Sequence, residues 1–571
     1  MNRNYPILLN PIYKDPTAED IFNELNIRYR VCFKFVKKND EEEHICVCNR
    51  PEKAHNNNDT ELQDTKWDMF RNTYEELNPV HGRLPNGALF TQLALDTSEG
   101  KIERILLDVW KIPKPRLIMS IIGGAKYFIL SDRLEKNFIN GIIDVALKSD
   151  AWLITNGYNV GIVQVVGQAI NKVKLTKPKQ CITAIGICKW GSVKNVEKLT
   201  QAQYMKKQKI MDNFNIIDND EKLKKRESGQ RDLEMNHSHY LMLDDGRLRY
   251  YDTGDYRTRL CVHMAKLQHE TDFPVPVVTI VVEGGHDTIT NIYYDLRANI
   301  PVIIIDGSGR VADFFKHWLL YTKEFDNLGK DFDVTYELGE IDKVTPVETV
   351  TKSSSNRNSV DNSRLNCTYV QLQLDKSRKA LQEMFSKYVE QLETDLNAII
   401  THDEDSNKKK RKIQSSDNKK DRRSNKLDIT LSQVMYCLQP AVRSNISVFN
   451  LNSDNDLSET IFRSICKSRQ KYFKRKENDQ NDAIDMYQRK FKPPPNSQDK
   501  KRQSSARQNV NKKDQNAQRS QLLLLAMDWN CIDVAKELIL QNSLDNILVR
   551  MICIFVYFHR IISNIVRILI H

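Results

Sequence analysis

From Arg116 to about Thr322 the chain alternates short apolar runs, most of them closely followed by glycine, with amphipathic stretches. The runs are Leu117–Ile122, Ala151–Thr155, Ile182–Ile187, His239–Leu243, Val277–Val282 and Val302–Ile305. Near-continuous apolar runs of this length, several rich in β-branched Val and Ile, suit strands covered on both faces. Between the first two, Leu134, Phe138, Ile142, Val145 and Ala146 fall on one helical stripe. Strand and helix alternating this often predict an α/β domain with a largely parallel sheet.

The flanks read differently. A Cys-containing segment occupies 1–95, and the sheet domain is expected over 96–345. The interval Gln201–Glu234 within it is charged and reads as a surface insertion. A Ser/Asn-rich linker (346–366) leads to helical spacing over 367–402, where Leu381, Phe385, Val389, Leu392 and Leu396 recur. Beyond it the pattern predicts a basic disordered linker (403–428), a helical repeat (429–470), a basic disordered insert (471–520), a second helical repeat (521–545) and an atypical apolar tail (546–571). Pro493-Pro494-Pro495 excludes regular structure from the middle of the insert. The second half is thus expected to be all-α.

Charge sharpens this division. The formal charge of the 571 residues is +11, yet Ser406–Lys426 and Lys467–Arg519 together carry +18, leaving −7 for the rest. The basic balance belongs to two polar segments, so no specific nucleic acid is expected as a partner. The first of them has no aromatic to stack on bases, and the second has only Tyr472, Phe473, Tyr487 and Phe491. The run Lys408–Lys412 reads as a solvated linker. The longest uncharged run in the apolar tail is Met551–Phe558, short of the ~20 residues a spanning helix needs. Eleven scattered cysteines read as reduced thiols. His44, Cys46, Cys48 and His55 have ligand chemistry, but the pair is not C-x₂-C and no second pair follows, so structural thiols are the reading and no metal site is assigned. His237 and His239 read as a polar edge of the cleft.

The candidate chemistry lies where the strands end. Gly123-Gly124, Asn156-Gly157, Trp190-Gly191, Asp245-Gly246, Glu283-Gly284-Gly285 and Asp306-Gly307-Ser308-Gly309-Arg310 follow successive runs. In an open parallel sheet, ligands bind outside the carboxyl ends of strands, where glycine lets backbone amides approach a phosphate and Arg supplies a forked cation. A nucleotide-type cleft is favoured over the plain need of α/β loops for glycine.

Motifs in series resemble those of one family. Arg116–Lys126, Gly141–Gly161, Ile185-Gly186-Ile187 with Trp190-Gly191, Asn236–Tyr240, Arg257–Leu260, Val282–Gly285 and Asp306–Asp313 resemble, in order, the nucleotide-sensing domain of melastatin-type transient receptor potential (TRPM) channels. Leu457–Gln470 and Leu522–Leu540 resemble the family's ankyrin-like helical repeats. The resemblance implies a SLOG-type, Rossmann-like module on the cytoplasmic side of a plasma-membrane cation channel. It implies ADP-ribose or a related adenine nucleotide as regulatory ligand, with no cofactor required. Tyr250, Arg257 and Arg310 match the family's ligand-contacting positions. Gly123, Gly124, Asn156, Gly157, Gly284, Gly285, Gly307, Ser308 and Gly309 complete the expected ligand-binding set. Other channel subunits are the implied partners, in a tetramer, and calmodulin is a further candidate. The loop Thr155–Gly161 departs from the family pattern, and the chain reads as a channel region truncated before its pore.

The alternative is an enzyme of the nucleotide phosphoribohydrolase type on the same fold. Asn291 stands where such an enzyme carries a catalytic Glu, and an amide is no general base. No catalytic residue is assigned. Loss of Arg257 or Arg310 is expected to abolish nucleotide binding with thermal unfolding nearly unchanged.

Overall fold

The computed structural model describes residues 16–38, 44–55, 67–124, 138–194, 196, 199, 229–266, 274–328, 379–408, 417–450, 456–468 and parts of 522–537. The six expected strands form, as β5 (Ile118–Gly123), β6 (Trp152–Thr155), β7 (Thr183–Lys189), β8 (His239–Asp244), β9 (Val277–Val282) and β10 (Val302–Asp306). They lie in one sheet of order β11-β10-β9-β5-β6-β7-β8-β4-β3, with β3 (His81–Arg83), β4 (Leu89–Ala94) and β11 (Ile446–Asn450) added. Every pairing is parallel except β3 with β4. Residues such as Ile280, Ile303 and Leu241 are fully buried, as strands covered on both faces require.

Helices supply the cover. The helix Gly161–Thr176 buries Ile162, Val166, Ile170 and Val173 at steps of four and three residues. The expected stripe appears in the helix Asn140–Lys148, with Phe138, Ile142, Val145 and Ala146 buried. Leu134 lies outside the described residues. On one side of the sheet the helix Tyr256–Ala265 packs its Leu260 and Cys261 with Ile118, Trp152 and Leu241. In a second core the helices His286–Arg297 and Arg310–Tyr321 pack with 389–408 and 417–438 around Phe315 and Trp318.

Three boundaries need correction. The sheet begins before residue 96, because β4 pairs along its whole length with β8. The second half is not all-α, because β11 pairs in parallel with β10 inside the segment expected to be a helical repeat. The expected linker 403–428 is helical at both ends, in Val389–Lys408 and Asp417–Leu438. Charged residues sustain a helix well in the absence of Gly and Pro, and here buried Leu431, Val434, Met435 and Leu438 anchor the second one. Arg443 ties this region in, donating to Thr322 O at 2.8 Å and Leu319 O at 2.6 Å at the end of the helix Arg310–Tyr321.

The chain divides into two compact units, one holding residues 1–270 and 274–454 and the other 271–273 and 455–571. In the second, Phe462 meets Trp529 edge-on at 6.0 Å and Arg463 pairs with Glu537 at 2.9 Å. Leu457, Ile461 and Ile465 are buried with Leu525 and Val534, so the two expected helical segments both contribute to one small core. The basic insert and the apolar tail lie outside the described residues, as does most of Gln201–Glu234. Among the described residues, no helix is long and apolar enough to cross a membrane.

Candidate functional site

The strand order changes direction between β5 and β9: from β5 the chain builds outward to β8, then returns to place β9 on the other side. Such a switch point opens a crevice at the carboxyl ends of its two strands. Gly123-Gly124 and Glu283-Gly284-Gly285 stand at this one, with Gly307–Arg310 on the neighbouring strand end. The approach there is close. A Cβ on Gly123 would lie 1.9 Å from Val282 O, and one on Gly124 would lie 2.0 Å from Glu283 Oε2. Glycine is therefore required by strand packing and by the buried Glu283 carboxylate.

Most of the expected amides are already used. Gly124 donates to Val282 O at 3.1 Å, and Gly285 to Thr288 Oγ1 at 3.2 Å. Gly307 donates to Asp313 Oδ1 at 2.9 Å, and Ser308 to Ile305 O at 3.3 Å. The Ser308 hydroxyl accepts from Glu283 N at 2.9 Å, fixing one loop against the other. Asn156 caps its own turn through Tyr158 N at 3.1 Å, and Gly157 donates to Thr155 Oγ1 at 2.9 Å. With φ +71 and a Cβ position 3.0 Å from Gly186 Cα, Gly157 serves strand packing. The N-terminal ends of two helices, capped at Gly285 and Gly309, lie at these strand ends, and half-buried Arg310 opens the second.

Tyr250 belongs to a second cluster, beyond β7 and β8. Lys189 and Asp245, each 1% exposed, meet at 2.8 Å between Nζ and Oδ2, in ion contact without hydrogen-bond alignment. Burial pulls the Lys189 ammonium below its ordinary range even against this charge. Burial alone would raise Asp245, but Lys189 and Arg247 hold its carboxyl low. Arg247 donates to Asp245 at 2.7 Å and lies between two rings, 3.4 Å from the Tyr250 centroid and 4.3 Å from that of Trp67. Burial, then the Asp252 charge, raises the Tyr250 phenol. Neighbouring Asp244, fully buried, is pushed up to about 6 by desolvation.

Arg257 has another occupation. It is 6% exposed, in the first turn of the helix Tyr256–Ala265. It donates to Ser120 Oγ and to Asp295 Oδ2, both at 2.7 Å, while Thr258 and Thr279 hydroxyls donate to the same carboxylate at 2.6 and 2.9 Å. The guanidinium is bound into a buried network joining β5, β9 and the helix His286–Arg297. The network also shows the path of the chain. Residues 245–257 lead from the end of β8 to the β5–β9 junction, and on the way Tyr250 O accepts from Ser192 Oγ at 2.8 Å.

His237 and His239 are packed into the fold. His237 is buried between Thr155 Oγ1 and Glu234 Oε2, both at 2.7 Å, and His239 stacks on Trp110 at 5.1 Å at the amino end of β8, the edge opposite the cleft. Asn291 donates to Asp287 O at 2.8 Å along its own helix. Cys46, Cys48 and His55 are brought together with Cys32, a residue sequence spacing had left out, because Cys32 comes from the end of a separate strand, β1 (Arg28–Cys32). His44 is excluded from this group; its Nδ1 pairs with Glu52 at 2.9 Å on the surface. Glu283 and Arg247 turn toward the strand-end loops although nothing in Glu-Gly-Gly or Asp-Gly-Arg reveals which side chain turns inward.

Residues 88–341 match the family described as SLOG in TRPM. The chain is 29% identical over 313 residues to transient receptor potential cation channel subfamily M member 2 of Rattus norvegicus, covering 50% of this chain and 20% of that protein. It is 28% identical over 304 residues to the subfamily M member-like 2 of Nematostella vectensis, covering 50% and 19%. With human subfamily M member 7 it shares 27% over 280 residues, covering 46% and 14%. The alignments thus span a fifth or less of these relatives' length.

Proposed function

We propose that this chain, whose residues 88–341 are a SLOG domain of the TRPM-channel type, is a nucleotide-responsive assembly region of a TRPM-like cation channel. The observation that carries the ligand reading is the coincidence of the β5–β9 switch point with Gly123-Gly124, Glu283–Gly285 and the adjoining Gly307–Arg310. An adenine nucleotide with a pyrophosphate, ADP-ribose or a relative, suits this edge. Its phosphates would meet Arg310 and the two helix N-termini, and its base would meet a flat face from Tyr250. Arg257 acts from below, holding the helix that returns the Tyr250 segment to the crevice. The region would lie at the cytoplasmic face of the plasma membrane, with other channel subunits as partners.

Calorimetric titration of the full chain with ADP-ribose and with ATP tests the site. Arg310→Ala removes one charged donor, a loss of about 2–5 kcal/mol that erases micromolar binding. Binding as tight as wild type in Arg310→Ala would move the ligand elsewhere. The enzyme alternative receives no support from Asn291, whose amide cannot act as a general base. AMP and ADP-ribose incubated with the chain should remain intact, and release of base above background would restore that alternative.

A further inference from the structure

Cys32, Cys46, Cys48 and His55 come from separate stretches of chain and converge in one buried pocket. Their relative exposures are 2%, 0%, 0% and 8%. Their ligand atoms, three Sγ and one ring nitrogen, all lie within 4.8 Å of one another. A tetrahedral zinc with Zn–S bonds of about 2.3 Å places its sulfurs about 3.8 Å apart, so one ion fits among these atoms with small adjustment.

The surroundings are arranged for it. His55 Nδ1 faces the carbonyls of Pro51 at 3.1 Å and Glu52 at 3.3 Å. Carbonyl oxygens only accept, so Nδ1 carries the proton and Nε2 presents its lone pair, 3.2 Å from Cys48 Sγ. Such an outer hydrogen bond is the usual way a protein orients a ligating imidazole. Val36 N donates to Cys46 Sγ at 3.4 Å, a contact that suits a thiolate. The chain turns tightly through the pair: Asn49 N donates to Cys46 O at 2.8 Å with Asn49 at φ 65. Phe35 closes the pocket, its ring edge-on to His55 at 5.8 Å. None of the three cysteines is in a disulfide. Among the described residues, the three thiols form a small cluster with Phe35 packed against it.

We propose that Cys32, Cys46, Cys48 and His55 form a structural Cys₃His zinc site. Three thiolates and an imidazole in a closed tetrahedral shell select zinc among the common divalent metals. Each thiol that binds gives its proton to solvent, and the ion replaces the missing apolar core of the segment. The site also anchors a neighbouring loop. Leu248 N donates to Cys48 O at 2.9 Å, Asn49 Nδ2 donates to Leu248 O at 2.6 Å, and Arg50 donates to Gly246 O at 2.5 Å. The zinc thereby clamps the Cys46–Arg50 turn onto the segment that leads from Asp245 to Tyr250.

The test is metal analysis of the full chain purified under reducing conditions without chelator. About one zinc per chain is expected. Cys46→Ser and Cys48→Ser should each lose it, while Cys181→Ser, at an exposed thiol, should retain it. Because a cysteine variant can fail to fold, the wild-type chain is also stripped with a chelator and titrated with Co²⁺. Thiolate-to-cobalt charge transfer and intense tetrahedral d–d bands, both erased by added Zn²⁺, are expected. His55→Cys should keep the ion and strengthen the charge-transfer band. A chain that holds no zinc and gives no cobalt spectrum overturns the proposal, as does a Cys46→Ser chain with wild-type zinc content.

Discussion

Replacing Arg257 by alanine should unfold the sheet unit far more readily than it alters any ligand contact. The guanidinium is 7% and its partner Asp295 0% exposed, and the two meet at 2.7 Å. Without Arg257, Asp295 keeps only the hydroxyl hydrogens of Thr258 and Thr279, and Ser120 loses its donor. Breaking a buried pair from one side costs about 3–5 kcal/mol, because a charge is left without compensation in a dry interior. Against a total stability of about 5–15 kcal/mol this is a large share. At about 2–4 °C per kcal/mol for a unit of this size, the midpoint should fall by roughly 6–20 °C. Thermal unfolding followed by fluorescence of the buried Trp152 and Trp318 reads the change. Arg257→Met/Asp295→Leu, which removes both charges, should recover most of the loss. Arg310→Ala, at a half-buried position opening a helix, should cost no more than about 1 kcal/mol. An Arg257→Ala chain within about 0.5 kcal/mol of wild type that no longer binds nucleotide would refute this reasoning and return Arg257 to the ligand.

Further outcomes follow from the same geometry. Asp244 sits at about 6 in the folded chain against an ordinary 3.8, so the folded state holds its proton more tightly. Its contribution to stability is fully present below the unfolded value and is lost as pH rises through about 6. The shift corresponds to roughly 3 kcal/mol, and urea unfolding of wild type against Asp244→Asn should show the variant gaining on wild type between pH 4 and 7. Gly123→Ala drives a Cβ to 1.9 Å from Val282 O between paired strands. It should cost about 3 kcal/mol or more, because the facing oxygen is backbone held in the sheet. Gly307→Ala meets open space at φ +79 and should cost about 1–2 kcal/mol of backbone strain; a denaturation series that reverses this order would reject the packing argument. A chain shortened to 1–350 should aggregate, because it uncovers Phe315 and Trp318 from Leu392, Leu396, Val434 and Leu438. One ending at Asp454 should unfold cooperatively, and size-exclusion chromatography distinguishes the two.

Sequence pattern alone determined the six central strands and their parallel character. Long apolar runs rich in Val and Ile can be satisfied only between two covering layers, and glycine after a strand marks where the edge must turn. That is why the crevice at Gly123-Gly124 and Glu283–Gly285 was legible. Tertiary structure decided what local pattern cannot carry. The strands β4 and β11, outside the six central ones, are mixed in polarity, and pairing with β8 and β10 makes them strands. Arg257 looks the same in sequence whether it faces a ligand or a carboxylate, and Asp295, thirty-eight residues away, settles its partner. The same holds for Cys32. Its nearest thiol in sequence is Cys46, and only the folding of β1 against the Cys46–Cys48 turn places three sulfurs and a histidine within reach of one ion.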